Sequence, residues 1–170
     1  MIYFTSDLHL GHDSECIYSL RGFNSTTEHD AAIVRNWNEM IRDDDVVYVL
    51  GDITFGSEEN DSIRRLNGEI HFIIGNHDSA RKICQYEAAG WINEGYAVML
   101  EIDGEKFYLS HYPSDVMNFG RRESICLCGH KHSKDPLVDA AMGAYHVELE
   151  AHNNRPVSID DVIKDMHMSE

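Results

Sequence analysis

Five short apolar runs dominate the sequence, and each of them carries an aspartate, an asparagine or a histidine at or next to its end. They span residues 2–9, 45–52, 71–78, 106–112 and 124–132. Runs of this length, rich in β-branched and aromatic residues, are typical of buried β-strands. The pattern therefore predicts strands that build the core and polar strand ends that are available for chemistry.

Amphipathic or turn-rich segments separate the first three runs. Residues 26–45 predict a crossover helix, because their apolar side chains recur at helical spacing, at Ile33, Trp37, Met40 and Ile41. Thr26 or Thr27 could cap the start of this helix. Residues 58–67 and 79–89 predict two further helices, each followed by a glycine that can end it. This βαβαβα order predicts a largely parallel sheet with helical crossovers.

The pattern changes after Gly90. Two β-like runs surround Asp103 and Gly104, which is a strong signal for a two-residue hairpin. A strand, an Asn-Asn turn and a short helix from about Ser158 follow. We therefore predict an antiparallel second half and an α/β fold in which two sheets pack face to face with helices outside. No linker, repeat or low-complexity segment interrupts the chain, which predicts a single domain over residues 1–170.

The polar strand ends should meet in space, although they are scattered along the sequence. In open α/β sheets, ligands bind outside the carboxyl ends of the strands. The residues at such ends are Asp7, His9, Asp52, Asn76, His77, His111, His130 and His132. Each motif alone could be an ordinary turn or a hydrogen-bonded histidine, so their joint position after five strands is what favours a functional site.

The strand-end side chains offer carboxylate, imidazole and amide groups, without a thiolate. This set suits Mn, Fe, Ni, Zn or Mg and is a poor match for a sulfur-rich structural zinc site. Seven of these residues, all except His77, are too many for one open catalytic ion. Two ions about 3.5–4 Å apart, bridged by a carboxylate and a water, would use all seven. The four cysteines, including Cys126 and Cys128, are predicted to be buried thiols.

The ordered motifs SDLHLGH, LGD, GNHD, SHYP and GHKH resemble those of the calcineurin-like metallophosphoesterase family, which read DxH, GD, GNHD or GNHE, H and GHxH. The closing segment RPVSIDDVI is similar to that of small bacterial and phage members. The resemblance implies a four-layer α/β/β/α sandwich of two mixed sheets flanked by helices. It also implies a dinuclear metal-dependent phosphoesterase that hydrolyses a small phosphomonoester or phosphodiester by attack of a metal-bridging hydroxide.

The resemblance also implies a role for each matching residue. The ligands of the first ion would be Asp7, His9 and His132. The ligands of the second ion would be Asn76, His111 and His130. Asp52 would bridge the two ions. His77 would stabilise the phosphoryl oxygens or protonate the leaving alkoxide, and Asp78 would orient the imidazole of His77.

Four residues outside these motifs are candidate phosphate contacts, namely His12, Arg21, Arg121 and Arg122. The segment Arg21-Gly22-Phe23 departs by its glycine from the RPF segment of a small-protein branch of the family. The second motif reads GDITFG and lacks the histidine found there in diadenosine tetraphosphatases and related protein phosphatases. This difference argues against the substrates of those enzymes.

A formal net charge of −16 argues against binding of duplex nucleic acid, because contacts with the phosphate backbone need clustered lysine and arginine. No apolar run approaches the roughly 20 residues that cross a bilayer, and the N-terminus lacks the features of a secretory signal. We therefore expect a cytoplasmic protein with a small phosphate-ester substrate. Two alternatives stay open, a nuclease of the same superfamily and a non-catalytic protein-binding scaffold. The sequence does not determine the physiological substrate, the metal or the oligomeric state.

Overall fold

Two mixed β-sheets form the centre of the protein. The computed structural model describes residues 1–56, 59–113, 124–140 and 143–168. The strands of the first sheet are β1 (Ile2–Thr5), β2 (Val46–Leu50), β3 (Glu69–Ile73), β4 (Ile92–Asn93) and β9 (Val157–Ser158), in the order β4-β3-β2-β1-β9. The strands of the second sheet are β5 (Ala97–Ile102), β6 (Glu105–Ser110), β7 (Ile125–Cys128) and β8 (Ala144–His146), in the order β5-β6-β7-β8.

Strand direction confirms the first half of the prediction and corrects the second. β1, β2, β3 and β4 are parallel, and β9 pairs antiparallel with β1. In the second sheet β5 and β6 form the predicted antiparallel hairpin around Asp103 and Gly104. The prediction of an antiparallel second half is wrong beyond this hairpin, because β6, β7 and β8 are parallel. The segments 111–124 and 129–143 are long enough for the crossovers of about a dozen residues that parallel strands require.

Four α-helices accompany the sheets in the described part of the chain. They are α1 (Glu15–Tyr18), α2 (Thr26–Asn38), α3 (Ala80–Ala88) and α4 (Ile159–Met168), and 3-10 helices lie at Asp61–Arg65 and Leu149–His152. The cap of α2 is Ser25 and not the predicted Thr26 or Thr27, because the Ser25 hydroxyl oxygen accepts a hydrogen bond from Glu28 N. The predicted helix over 58–67 is replaced by the shorter 3-10 helix. Its one buried side chain, Ile63, offers too little apolar surface to support a longer helix.

The two sheets pack face to face around one apolar core. Its fully buried side chains from both sheets include Phe4, Leu50, Ile73, Phe107, Leu109, Leu127 and Tyr145. A second cluster covers the outer face of the first sheet and includes Trp37 of α2 and Tyr86 of α3. α4 adds Ile159 and Val162 to the core between the sheets. The predicted α/β sandwich of two mixed sheets flanked by helices is therefore confirmed. None of the described helices is long and apolar enough to cross a membrane.

The two sheets are joined where their strands end. Asp7 N donates a hydrogen bond to Gly51 O at 3.0 Å, so the loops after β1 and β2 run together. Gly129 N donates to His111 O at 3.0 Å, which joins the loops after β6 and β7. His130 N then donates to Asp7 Oδ2 at 3.0 Å and connects one sheet to the other. The predicted convergence of the strand ends is thus present in the fold.

Candidate metal centre

Five of the predicted metal-binding residues have a left-handed backbone conformation. They are Asp7 (φ 55°), His9 (φ 49°), Asp52 (φ 56°), His130 (φ 76°) and His132 (φ 51°). Residues other than glycine rarely adopt positive φ, and such strain persists where the surrounding structure holds it, often at functional sites. Here it is held by hydrogen bonds between loops, such as that from His9 N to Asp52 O at 3.0 Å. The sharp turns bring side chains from separate loops to one place.

Two glycines permit the close packing of these loops. A Cβ atom on Gly75 would lie 2.3 Å from Asp52 Oδ1. A Cβ atom on Gly129 would lie 2.5 Å from Asp7 Oδ2. Both distances are far below van der Waals contact, so any side chain at either position would displace a predicted metal-binding carboxylate.

Asp7, His9 and His132 form the first ligand cluster, in which one side-chain atom of each lies within 4.8 Å of the others. His9 Nε2 lies 3.7 Å and His132 Nε2 lies 3.9 Å from Asp7 Oδ1. Two atoms that bind the same ion at about 2.1 Å can be at most about 4.2 Å apart. The distances of both histidines from Asp7 therefore fit ligands of one ion.

Several buried polar atoms of the first ligand cluster have no hydrogen-bond partner. Asp7 Oδ1 and both ring nitrogens of His9 are buried and unpartnered. Leaving such an atom buried without a partner costs about 1–3 kcal/mol. A cation between Asp7 and His9 would satisfy the carboxylate oxygen and one ring nitrogen together. The residues present therefore fit a bound metal ion.

Asp52, His111 and His130 form the second ligand cluster, to which Asn76 is adjacent. His111 Nδ1 lies 2.7 Å from the carbonyl oxygen of Leu50 and donates to it, so Nε2 keeps its lone pair. That lone pair faces Asn76 Oδ1 at 2.9 Å and His130 Nδ1 at 3.2 Å. An imidazole nitrogen and an amide oxygen that both present lone pairs repel each other unless a cation lies between them. The second cluster thus also fits an ion.

Asp52 lies between the two ligand clusters. Its Oδ2 atom is 3.9 Å from His9 Nε2 in the first cluster and 3.5 Å from His111 Nε2 in the second. Its other oxygen, Oδ1, accepts a hydrogen bond from His77 N at 2.8 Å. One carboxylate oxygen therefore faces both clusters, while the second oxygen fixes the backbone of the GNHD loop.

His77 lies beside the clusters without belonging to either of them. Its side chain is 43% exposed, and its Nε2 atom lies 3.9 Å from Asp52 Oδ2. The His77 ring is centred 5.6 Å from the His9 ring and 5.2 Å from the Phe55 ring. An exposed imidazole next to two buried ligand clusters can contact a bound substrate.

Comparison with known proteins identifies the family of this chain. A sequence model of the calcineurin-like phosphoesterase superfamily domain matches residues 1–147. The chain belongs to the calcineurin-like phosphoesterase superfamily. An uncharacterised protein of Methanocaldococcus jannaschii is 33% identical over 96% of this chain and 89% of its own length. Members of this family typically bind divalent metal ions, which agrees with the two ligand clusters.

Solved structures show the same fold at low sequence identity. A protein of unknown function from Aquifex aeolicus matches with a TM-score of 0.70 and 22% identity, over 96% of this chain and 98% of that chain. A structure described as a novel archaeal phosphodiesterase matches with a TM-score of 0.51 and 18% identity, over 86% of this chain and 81% of that chain. These likenesses show that the chain has a known fold.

Electrostatics favour the metal-binding forms of Asp7, His9 and His130, whereas the pKa of His132 is raised, because its contacts with Glu150 and Asp7 outweigh its burial. Burial opposes the charge of Asp7, yet the nearby rings of His9, His111 and His132 hold the pKa of Asp7 below its usual range. Burial lowers the pKa of His9 and that of His130. An ionised carboxylate and neutral imidazoles are the forms that bind a metal ion.

Asp78 has different contacts from those predicted. Its carboxylate is almost fully buried and accepts hydrogen bonds from main-chain N–H groups of Asp52 at 2.8 Å and Gly75 at 2.9 Å. It also accepts bonds from Ile53 N and from the Tyr86 hydroxyl. The prediction that Asp78 orients the His77 ring is corrected by these contacts, which join the GD loop to the GNHD loop. Adjacent residues in a tight turn direct their side chains differently.

Replacing Asp78 should therefore affect folding. Asp78→Asn keeps the shape of the side chain but turns one acceptor oxygen into an NH₂ group that faces other hydrogen-bond donors. We expect the free energy of unfolding to fall by about 2–3 kcal/mol, since hydrogen bonds to a charged group are worth about 1.5–3 kcal/mol each. Urea denaturation followed by the fluorescence of buried Trp37 and Trp91 measures this. Unchanged stability would contradict a structural role for Asp78.

Sequence reasoning missed two residues of α3 that support the GNHD loop. Lys82 Nζ donates to the carbonyl oxygens of Thr54 at 2.6 Å and His77 at 2.9 Å. The Tyr86 hydroxyl lies 2.8 Å from Thr54 Oγ1. Asp78, Lys82 and Tyr86 are spaced by four residues, which is the spacing of one helix face. That spacing is the signal that could have identified them.

The four candidate phosphate contacts have different surroundings. His12 lies near the clusters, with its ring stacked 3.7 Å from the Phe55 ring and 5.6 Å from the His9 ring. The Arg21 side chain is fully buried and donates hydrogen bonds to the main-chain oxygens of Asp7 and Leu8. This corrects the predicted phosphate contact, because its guanidinium has no exposed surface. The remaining two, Arg121 and Arg122, lie outside the described residues.

Proposed function

We propose that this chain is a dinuclear metal-dependent phosphoesterase that hydrolyses a small phosphomonoester or phosphodiester. The observation that supports it most is the position of Asp52 Oδ2, at 3.9 Å from His9 Nε2 and 3.5 Å from His111 Nε2. Two-metal hydrolases hold their ions about 3.5–4 Å apart, and a carboxylate shared by two ligand clusters suits that spacing. Membership of a phosphoesterase superfamily supports the reaction class.

In this proposal, one ion is held by Asp7, His9 and His132. The other is held by Asn76, His111 and His130, and Asp52 contacts both. Oxygen and nitrogen ligands without sulfur fit Mn, Fe, Ni, Zn or Mg. When bound, such ions lower the pKa of a water molecule and offset the negative charge of a phosphoryl group.

His77 would supply the proton that the leaving oxygen needs. Its backbone is fixed on both sides, because His77 N donates to Asp52 Oδ1 and His77 O accepts from Lys82 Nζ. The ring itself is exposed beside the ligand clusters, so it can reach a phosphate bound there. Histidine is suited to this role because its ordinary pKa lies near neutrality.

A groove beside His77 provides space for the organic part of a small substrate. It has a volume of about 530 Å³ and is lined by Gly11, Phe55, Asn60, Ser62 and Arg65, among others. Phe55 forms the wall between this groove and the His77 ring, with the two ring centroids 5.2 Å apart.

The two alternative functions, a nuclease and a non-catalytic protein-binding scaffold, have less support. A nuclease needs a surface that binds a polyanion, and the net charge of −16 works against one. A non-catalytic scaffold has no need of intact ligand clusters. Here both clusters and His77 are complete and close together. A small phosphate ester therefore remains the favoured substrate class.

Asp52→Asn tests the proposal through metal content. The asparagine keeps Oδ1 as the acceptor for His77 N but removes the charge between the two clusters. We expect wild-type protein to bind about two ions per chain and the variant to bind one or fewer, since Asp52 would serve both ions. Elemental analysis after dialysis against limiting metal measures this.

The matched control is Asp165→Asn. Asp165 is a partly buried carboxylate that accepts a hydrogen bond from the Tyr145 hydroxyl and belongs to neither cluster. This variant should keep the wild-type metal content. Two firmly bound ions in Asp52→Asn would contradict the bridging role of Asp52, and wild-type protein without bound metal would overturn the proposed function.

A further inference from the structure

Glu150 is a buried carboxylate behind the first ligand cluster. It lies in the 3-10 helix Leu149–His152, beyond the residues that match the family, and its side chain is 1% exposed. Its Oε1 atom lies 2.9 Å from His132 Nδ1 and 2.9 Å from Arg21 Nε. Both nitrogens donate to this one oxygen. Glu150 thus joins a predicted metal ligand to a buried arginine.

The contact with Glu150 determines which nitrogen of His132 faces the ligand cluster. A hydrogen on Nδ1 is needed for donation to the carboxylate, so Nε2 of the neutral ring presents its lone pair. That Nε2 atom lies 3.9 Å from Asp7 Oδ1. A carboxylate behind a histidine ligand fixes the ring orientation and raises the basicity of the nitrogen that binds the metal.

Arg21 extends the same contact to the loop that carries the other two residues of the first ligand cluster. Its Nη2 atom donates to Asp7 O, and its Nη1 atom donates to Leu8 O at 2.9 Å. These carbonyl groups belong to the loop that carries Asp7 and His9, whose backbone is left-handed at both residues. One arginine therefore holds the strained DLH loop and binds the carboxylate that orients His132.

The surroundings of Arg21 show that its position is firmly set. His29 Nε2 lies 2.8 Å from Arg21 Nη1, and His29 Nδ1 lies 2.8 Å from Asp30 Oδ1. Asp30 Oδ2 in turn accepts a hydrogen bond from Gly11 N at 2.8 Å, just beyond the DLH loop. Buried ion pairs are weak contributors to stability, because desolvation offsets their attraction. Positioning is thus a better explanation for this pair than stability.

We propose that Arg21 and Glu150 form a positioning pair that sets the metal affinity of the first ligand cluster separately from that of the second. This inference rests on the proposed function. In the second cluster the ring of His111 is oriented by a different group, since its Nδ1 atom lies 2.7 Å from the Leu50 carbonyl oxygen. The pair contacts no substrate and acts through Asp7, His9 and His132.

Glu150→Gln is the direct test. It keeps an acceptor oxygen for His132 or Arg21 and removes the negative charge. We expect the affinity of the first cluster for Mn²⁺ to fall about 10–100-fold, as is typical when a group behind a metal ligand is replaced. The affinity of the second cluster should stay at the wild-type value. Isothermal titration with Mn²⁺ resolves the two steps, and electron paramagnetic resonance distinguishes paired from single Mn²⁺ ions.

The matched control is Glu94→Gln. Glu94 Oε1 lies 2.6 Å from His71 Nδ1, so it forms the same carboxylate–histidine contact in a place without metal ligands. This variant should bind both ions as wild-type protein does. If Glu150→Gln does not fold, Arg21→Lys provides the second variant, because it keeps the charge but cannot reach Glu150, Asp7 and Leu8 together. It should weaken the first cluster selectively as well.

Long-range ¹H–¹⁵N spectra of metal-free wild-type protein add a readout that needs no variant. We expect His132 to carry its hydrogen on Nδ1. A neutral His132 ring with its hydrogen on Nε2, unchanged affinities in Glu150→Gln, or equal weakening of both clusters would each overturn the positioning pair. Wild-type protein that binds no ion overturns the proposed function and this inference together. Two bound ions in both wild-type protein and the variant, with equal affinities, overturn only the inference.

Discussion

Removal of the bound metal should abolish hydrolysis of bis-p-nitrophenyl phosphate by the purified protein. We expect a loss of at least about 10³-fold, because one preorganised group that stabilises transition-state charge is already worth about 10²–10³-fold and both ions would be lost. The release of p-nitrophenolate measures this, before and after exhaustive chelation. Added Mn²⁺ or Ni²⁺ should restore the activity.

Two measurements make this result interpretable. Elemental analysis confirms that the chelated protein is free of metal, and circular dichroism confirms that it remains folded. Activity that survives verified metal removal would overturn the two-metal proposal. Assays of phosphomonoesters, phosphodiesters and 2′,3′-cyclic nucleotides with the restored protein then identify the substrate class.

His77→Ala should remove most turnover while leaving the metal content unchanged. Positioned proton transfer contributes about 10²–10⁴-fold, and we expect a loss in this range for alkyl phosphate esters. Esters of p-nitrophenol should lose much less, because p-nitrophenolate leaves without a proton. The variant keeps the backbone N–H that donates to Asp52 Oδ1, so the ligand clusters should stay in place. Values of kcat for the two kinds of ester measure the difference.

His167→Ala is the matched control, since His167 is an exposed histidine on α4. It should behave like wild-type protein with both kinds of ester. Equal losses for alkyl and p-nitrophenyl esters in His77→Ala would argue that His77 stabilises charge without donating a proton. Loss of metal from His77→Ala would instead identify His77 as a ligand.

The meeting point of the strand ends could be predicted because parallel strands end on one side of a sheet. Asp7 and His9, Asp52, and His111 follow separate strands and come together as expected. The hairpin at Asp103 and Gly104 was equally predictable, because its turn chemistry is local. Interactions between residues close in sequence, and rules that apply to every parallel sheet, were enough to predict these features.

Other features depend on three-dimensional contacts that the local sequence pattern does not specify. The direction of β7 and β8 depends on how the long segments between the strands pack. The pattern of apolar residues alone does not reveal this direction. Asp78 follows His77 in the chain, yet its carboxylate binds the main chain of the GD loop. Arg21 and Glu150 are also far apart in sequence, and their charges gave no sign that both would be buried together.

The first ligand cluster joins residues from the two halves of the chain. His132 Nε2 lies 3.9 Å from Asp7 Oδ1, and the neighbouring His130 N, from the second cluster, donates to Asp7 Oδ2 across 123 positions of sequence. Contacts of such high sequence separation form slowly compared with helices and hairpins. Metal that binds only the assembled cluster stabilises only molecules in which both sheets have docked. The ions would therefore bind at a late stage of folding and would slow unfolding. The unfolding rate would then depend on the concentration of free metal.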